Sequence, residues 1–143
     1  MFERLIGLIG EDKLNEIKSK NILIIGVGGV GSYALESMIR NGFINITIVD
    51  FDTIALSNLN RQLITTQDNI GNFKVDEAKM RAEKINPLVD IKTIKERLNK
   101  ENLQTLLENN YDYVIDACDT VEVKFALMEQ SMHYNYKLIS SMG

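Results

Sequence analysis

Apolar and polar positions fall into short blocks that alternate between two periods. Residues 21–27 are a continuous apolar run, the pattern of a strand buried on both faces. Val30, Ala34, Leu35, Met38 and Ile39 then recur at helical spacing, and Asn41-Gly42 closes that segment. Phe43 to Val49 reads as a second strand, ending on Asp50-Phe51-Asp52. Residues 53–71 are rich in Asn, Gln and Thr without a clear period, which predicts an ordered loop with about one helical turn. A helix resumes near Asn72 with Val75, Ala78, Ala82 and Ile85 on one face, and Asn86-Pro87 ends it. Val89–Ile94 predicts a third strand, 100–109 a short helix and Tyr113–Ala117 a fourth strand. Residues 121–135 predict a helix whose core stripe is Val121, Phe125, Met128 and Met132, with methionines as core filler; Leu138–Ser140 predicts a fifth strand. Residues 11–20 predict a short polar helix with Leu14 and Ile17 on one face.

This alternation implies an α/β, Rossmann-like fold: a mostly parallel sheet with helices on both faces. Ligands of such sheets bind at the carboxyl ends of the strands. The polar clusters after strands one, two and four, Gly26–Gly31, Asp50–Arg61 and Asp116–Thr120, are therefore expected to converge on one crevice.

The first cluster carries the strongest chemistry. Gly26, Gly28, Gly29 and Gly31 break a strand and open a helix, leaving backbone bare enough for phosphate at the helix N-terminus. Asp50 follows nineteen residues beyond Gly31, the distance at which a carboxylate can hold ribose hydroxyls. These features alone suit NAD as well as ATP. Asn58, Asn60 and Arg61 add amides and a guanidinium at the same end, and Lys74 a point charge, donors that a triphosphate needs. Read separately, Arg61 is equally well a solvated loop charge and Lys74 a surface lysine. Asp116 and Asp119 at a strand end suit Mg²⁺, which takes one or two carboxylates beside phosphate oxygens; Asp119 also fits a helix cap. The whole constellation favours ATP with Mg²⁺.

Length and charge narrow the class. The chain has 143 residues, 45% of them hydrophobic and 25% charged, with a net charge of -4. An acidic balance gives no basic face for duplex nucleic acid, so an RNA contact must be local or outside this segment. The one cysteine, Cys118, excludes an internal disulfide and fits a reducing, cytoplasmic setting. Acidic neighbours disfavour its thiolate, so a structural role is expected. His133 has no evident partner and reads as a surface or packing residue. No apolar stretch is long enough to span a membrane, and the N-terminus lacks the pattern of a signal peptide.

In this order, Gly26-Val-Gly-Gly-Val-Gly31, Asp50-Phe-Asp52, Ser57-Asn-Leu-Asn-Arg-Gln62, Lys74 and Asp116-Ala-Cys-Asp119 resemble the ThiF/MoeB and ubiquitin-activating-enzyme superfamily over nearly the whole chain. Tyr111–Val121 with Lys124, Lys137–Gly143 and Arg4-Leu-Ile-Gly are most similar to its tRNA threonylcarbamoyladenosine dehydratase group. The resemblance implies ATP- and Mg²⁺-dependent adenylation of a carboxylate. It gives nucleotide contacts to Gly26, Gly28, Gly29 and Gly31, and puts Asp50 on the ribose with Asp52 beside it. Asn58, Asn60, Arg61 and Lys74 would hold and polarise the phosphates, and Asp119 would bind Mg²⁺, which makes Arg61, Lys74 and Asp119 the catalytic set. The implied acceptor is the threonyl carboxylate of a modified adenosine in tRNA, whose adenylate cyclises with loss of AMP. A second acceptor of the same chemistry is the C-terminal glycine of a ubiquitin-like sulfur carrier, with a sulfur-relay protein as partner. The resemblance also implies a homodimer in which Arg4 reaches the other subunit's ATP site. Residues 1–143 would be one ATP-binding adenylation domain, the front part of a longer family fold. From another class, an NAD(P)-binding oxidoreductase or nucleotide-sensing module fits the glycines and Asp50, but not Arg61, Lys74 and Asp119 together.

Overall fold

A computed structural model describes residues 1–141. The chain opens with two short helices, α1 (Glu3–Ile9) and α2 (Glu11–Lys18), then runs β1 (Asn21–Ile25), α3 (Gly31–Arg40) and β2 (Asn45–Val49). A long excursion holding two single 3₁₀ turns, Leu56–Asn58 and Gln67–Asn69, leads into α4 (Lys74–Ile85) and β3 (Asp90–Ile94). The rest is α5 (Lys100–Leu107), β4 (Tyr113–Asp116), α6 (Val121–Gln130) and β5 (Lys137–Ser140). The expected fold class is the observed one: five strands in the order β3-β2-β1-β4-β5, with every pairing parallel. The readings of Met142 and Gly143 lie outside the described residues.

The period of two in the strands sorts the core into two layers. Ile22, Ile24, Ile46, Ile48 and Ile115 point to the face covered by Leu35 and Ile39 of α3 and by Val75, Ala78 and Ala82 of α4. Leu23, Ile25, Val49 and Val114 point to the other face, against Leu103, Leu106 and Leu107 of α5 and Val123, Ala126 and Leu127 of α6. β1 is buried on both sides, as its unbroken apolar run predicts. The chain leaves β1 toward β2 and β3, then crosses back to β4 on the other flank. The carboxyl ends of β1 and β4 thus form the switch point where such sheets open a crevice.

The excursion between β2 and α4 is tied down by its own amides. Ile54 is buried and pairs with the far end of the loop: its N–H donates to Asn72 O (2.8 Å) and its carbonyl accepts from Gly71 N (2.8 Å). Asn58 Oδ1 accepts from Ala55 N (2.9 Å), and Asn69 Oδ1 from Thr66 N (2.8 Å). The segment expected as one loop is therefore two capped turns held in one place.

α6 departs from expectation. It stops at Gln130, and the expected core stripe Val121, Phe125, Met128 and Met132 faces solvent, Met132 at 85% exposure. The helix carries apolar residues on two faces, so spacing alone does not choose between them. The face that turns inward is the one bearing Lys124, which meets a carboxylate at the end of β4. Met80 is exposed as well; of the helical methionines Met38 packs against the core. α1 was not foreseen, and no residue of it is buried.

One turn sets the geometry of the whole ligand end. Gly26 has φ of 87°, and a Cβ there would lie 2.8 Å from Ala117 O on the neighbouring strand's exit. A Cβ on Gly31 would collide with Gly26 O inside the turn itself. Replacing Gly31 by Ala is expected to cost about 3 kcal/mol of stability, because the obstruction is backbone and cannot rotate away. Thermal and urea unfolding of the variant against the parent chain would check this; an unchanged midpoint would show the turn to be slack.

Candidate nucleotide site

A crevice of about 570 Å³ opens over the carboxyl ends of the strands, lined by all three expected clusters and by a fourth group, Glu96-Arg97-Leu98, after β3. Gly26, Gly28, Gly29, Asp50, Asp52, Asn58, Arg61, Lys74 and Asp119 all line it. Gly31 and Asn60 do not. Gly31 is buried where α3 begins, and Asn60 Oδ1 accepts from Arg61 Nη1 (2.9 Å), so it steadies the guanidinium from outside.

Asp50 ends β2 and knits the floor together. Its Oδ2 accepts from Val27 N in the glycine turn (2.9 Å) and its Oδ1 from Asp52 N (2.9 Å). Burial pushes its carboxyl above the ordinary carboxylate range, while the two backbone N–H groups and the Lys74 ammonium pull the other way. Lys74 is nearly buried, and its Nζ donates to Asp52 Oδ2 (2.7 Å). Asp52 is half-exposed, so this pair has one foot in water. Arg61 donates through Nη1 to Ser57 O (2.8 Å) and to Asn60, which aims an otherwise exposed side chain along the turn. Its aliphatic carbons lie against Gly29, 3.7 Å from where a Cβ would stand.

Asn58 is a structural residue first. It is buried and its carbonyl oxygen is spent on Ala55 N, although its edge still borders the crevice. Asp116 corrects the expected carboxylate pair. It is fully buried and absent from the crevice wall; its oxygens take Lys124 Nζ (3.0 Å), Ser140 Oγ (2.6 Å) and Cys118 N (3.3 Å). The β4 end turns it inward because the strand alternates faces, and the buried Lys124 ammonium captures it. Asp119 remains as the exposed carboxylate on that wall; α6 is capped at Thr120 without a side-chain bond, so no capping role occupies Asp119.

Gln62 stands in the Ser57–Gln62 motif without a role assigned to it, and residues 96–98 carry no signal in the sequence. Gln62 is buried beside the glycine turn, with Nε2 3.5 Å from a hypothetical Gly28 Cβ and Oε1 without a partner among the described residues. An orphaned amide in a crevice wall is a group that expects a ligand or water. Arg97 lies over the Phe51 ring at 5.3 Å, closing the β3 side with a cation on an aromatic face. The rule that ligands sit at strand ends, applied to β3 as to the others, would have pointed to 96–98. His133 is exposed, as expected.

The donor set fits a polyphosphate nucleotide. Bare glycine backbone, a buried ammonium and a guanidinium face one volume. No group of three or more His, Cys, Asp or Glu side chains is arranged for a metal among the described residues. With Asp116 withdrawn, Asp119 is the carboxylate left on the β4 side of the crevice, so Mg²⁺ there would be held largely by phosphate oxygens and water, as this ion accepts.

The fold is Rossmann-like α/β, with a glycine- and cation-lined crevice at its switch point. Comparison with known proteins is specific: the chain belongs to the ThiF family, whose model matches residues 2–143. The tRNA threonylcarbamoyladenosine dehydratase of Bacillus subtilis is 38% identical over 135 residues, covering 94% of this chain and 53% of that protein. The molybdopterin-synthase adenylyltransferase of Haemophilus influenzae is also 38% identical, over 92% of this chain and 52% of its own length. The Escherichia coli tRNA threonylcarbamoyladenosine dehydratase structure in complex with ATP superposes with a TM-score of 0.94 at 32% identity, covering 97% of this chain and 57% of that one. The chain thus spans about half the length of the curated relatives it matches. No helix among the described residues is long and apolar enough to cross a membrane.

Cys118 borders the crevice, and its thiol donates to Asp116 Oδ1 (3.1 Å). Burial, then the Asp116 carboxylate, pushes it up to about 11. At neutral pH only on the order of one thiol in ten thousand is the reactive thiolate. Its alkylation rate is expected to rise about tenfold per pH unit through pH 10 without levelling. Timed iodoacetamide labelling read by mass spectrometry checks this; a plateau near the ordinary thiol value would contradict the buried, acid-flanked setting.

Proposed function

We propose that this chain binds ATP with Mg²⁺ and that residues 1–143 form one domain of an enzyme that adenylates a carboxylate. The observation that carries the reading is the meeting of a buried ammonium, Lys74, and a braced guanidinium, Arg61, with the bare glycine turn in one crevice. A NAD site, whose pyrophosphate carries less charge than a triphosphate, has less use for both cations. Solved relatives described as complexes with AMP and with ATP support it.

In this reading Asp50 receives the ribose and Phe51, Arg97 and Leu98 border the base. The glycine turn, Asn58, Arg61, Gln62 and Lys74 hold the phosphates, with Asp52 keeping Lys74 extended into the site. Asn60 acts through Arg61. Mg²⁺ at Asp119 would neutralise phosphate charge when bound. An acceptor carboxylate oxygen attacks the α-phosphorus, the bond to the bridging oxygen breaks, and pyrophosphate leaves with its electron pair. Arg61 and Lys74 stabilise the charge that builds on the phosphoryl oxygens, the kind of preorganised electrostatic help that dominates such transfers.

For the acceptor we propose the threonylcarbamoyladenosine carboxylate of tRNA, which closes on itself with loss of AMP. The C-terminal glycine of a ubiquitin-like sulfur carrier has equal support, because the dehydratase and adenylyltransferase relatives are 38% identical alike. A cytoplasmic homodimer with Arg4 lent across subunits, and a sulfur-relay partner under the second reading, complete the proposal.

Calorimetric titration with ATP plus Mg²⁺, beside NAD, tests the site. Mg-ATP is expected to bind, with affinity falling about tenfold or more in Asp119→Ala and in Lys74→Met, each of which removes a charge-assisted contact. Binding of NAD in place of ATP would overturn the reading in favour of an oxidoreductase or sensor domain. Incubating Mg-ATP with either acceptor and following pyrophosphate release separates the two substrates.

A further inference from the structure

Behind the crevice wall lies a buried ion pair that the proposed chemistry does not use. Asp116 is 0% exposed and Lys124 is 7%. Lys124 Nζ donates to Asp116 Oδ2 (3.0 Å) and also to Ser141 O (2.6 Å). Ser140 Oγ donates to the same Asp116 oxygen, while Oδ1 takes the Cys118 N–H and thiol. The backbone joins in: Ala117 N donates to Ile25 O (2.9 Å), Ser141 N to Asp116 O (2.9 Å) and Lys124 N to Thr120 O (3.2 Å). All of these bonds but Lys124 Nζ to Ser141 O begin or end on the short turn 117–120 or on Asp116 at its entry.

Ordinary stability does not explain this arrangement. A buried ion pair gains little over well-packed apolar side chains of the same size, since desolvation consumes most of the attraction. What it does supply is direction. The pair grips the turn at its entry through Asp116 and at its exit through α6, while Gly26 packs against the Ala117 carbonyl from the far side. Asp119 sits within the turn, and its side chain has no hydrogen bond or ion pair among the described residues to fix it.

We propose that the Lys124–Asp116 pair is a positioning device that clamps the 117–120 turn and so holds Asp119 on the phosphate side of the crevice. The proposal rests on the reading of that crevice as a Mg-ATP site. Its mechanical half, the clamp, is separable from that reading.

Cys118 gives a built-in probe, because its thiol sits inside the clamp. The thiol's ionisation answers to both charges, the Asp116 carboxylate holding it up and the Lys124 ammonium pulling it down. Movement of the turn is therefore read from hydrogen exchange at the 117–120 amides together with Cys118 labelling, the labelling compared between Lys124→Met and the double variant Asp116→Asn with Lys124→Met, in which no carboxylate remains to change the thiol. In Lys124→Met, at one fixed pH and well below the melting temperature found by circular dichroism, Cys118 labelling is expected to speed up about tenfold as the turn opens locally. ATP affinity without Mg²⁺ is expected to stay, while the gain on adding Mg²⁺ disappears. Lys124→Arg, which keeps the charge, should restore both. Should Lys124→Met not fold, the neutral pair Asp116→Asn with Lys124→Met carries the test, read by hydrogen exchange at the 117–120 amides and by the same two titrations. Unchanged labelling or exchange with an intact Mg²⁺ gain in a folded variant would overturn the proposal. So would failure of the arginine to rescue. A parent chain that binds no ATP yet shows Lys124-dependent protection of Cys118 would overturn the nucleotide reading and uphold the clamp.

Discussion

The ligand end of this molecule depends on one close approach of backbone to backbone. At Gly26 and Gly31 the exit of β1 folds tightly against itself and against the Ala117 carbonyl at the exit of β4. Without side chains at these two points, the two central strands finish at the same level and α3 starts directly over them. The rest of the site is measured from that contact. Asp50 reaches Val27 N only because the turn presents that amide toward β2, and Gln62 and Arg61 lie over Gly28 and Gly29 because nothing projects from them. A sheet with the same order but a bulkier turn would splay, and its strand-end residues would line separate dents.

Charge is arranged along the crevice in a chain of partial satisfactions. Asp50 has spent its oxygens on backbone N–H groups and is costly to keep ionised. Asp52 has spent one oxygen on Lys74 and keeps the other near water. Lys74 has one carboxylate partner for three N–H donors, and Arg61 is braced through one nitrogen. Lys74 and Arg61 thus keep N–H donors to offer an anion at the glycine turn, while Glu96 and Asp119 bring negative charge to the β3 and β4 sides of the same crevice. The donors are already oriented, so little side-chain freedom is lost when an anion arrives.

Much of this was legible in residue order. The apolar run ending at Gly26 reads as a buried strand, and the glycine turn, Asp50 and Arg61 follow from the rule that strand carboxyl ends converge, while Lys74 enters from the first turn of α4. What misled was local ambiguity. α6 is apolar on two faces, and spacing cannot say which one the sheet takes; that was decided by Lys124, whose partner Asp116 lies near in space. For the same reason Asp116 looked like a second metal carboxylate beside Asp119. Two acids three positions apart across a strand end point in opposite directions, one into the core and one out. Gln62 was hidden because an amide is unremarkable until its carbonyl is found buried without a donor. α1 buries nothing, so it has no periodic signature to read.

The crevice is assembled from the exits of four strands and the loops that follow them, and no single crossover contains it. Its walls come from segments as far apart in the chain as Gly26 and Thr120. Such a site exists only when the sheet is fully registered; a state with β4 or β3 detached would keep most of its helices and lose the pocket. Any molecule that fills it therefore binds the native state alone and drags the whole unfolding equilibrium with it, by about 2.7 kcal/mol at a hundredfold excess over its dissociation constant. Occupancy and global cooperativity are, for this chain, one thermodynamic quantity.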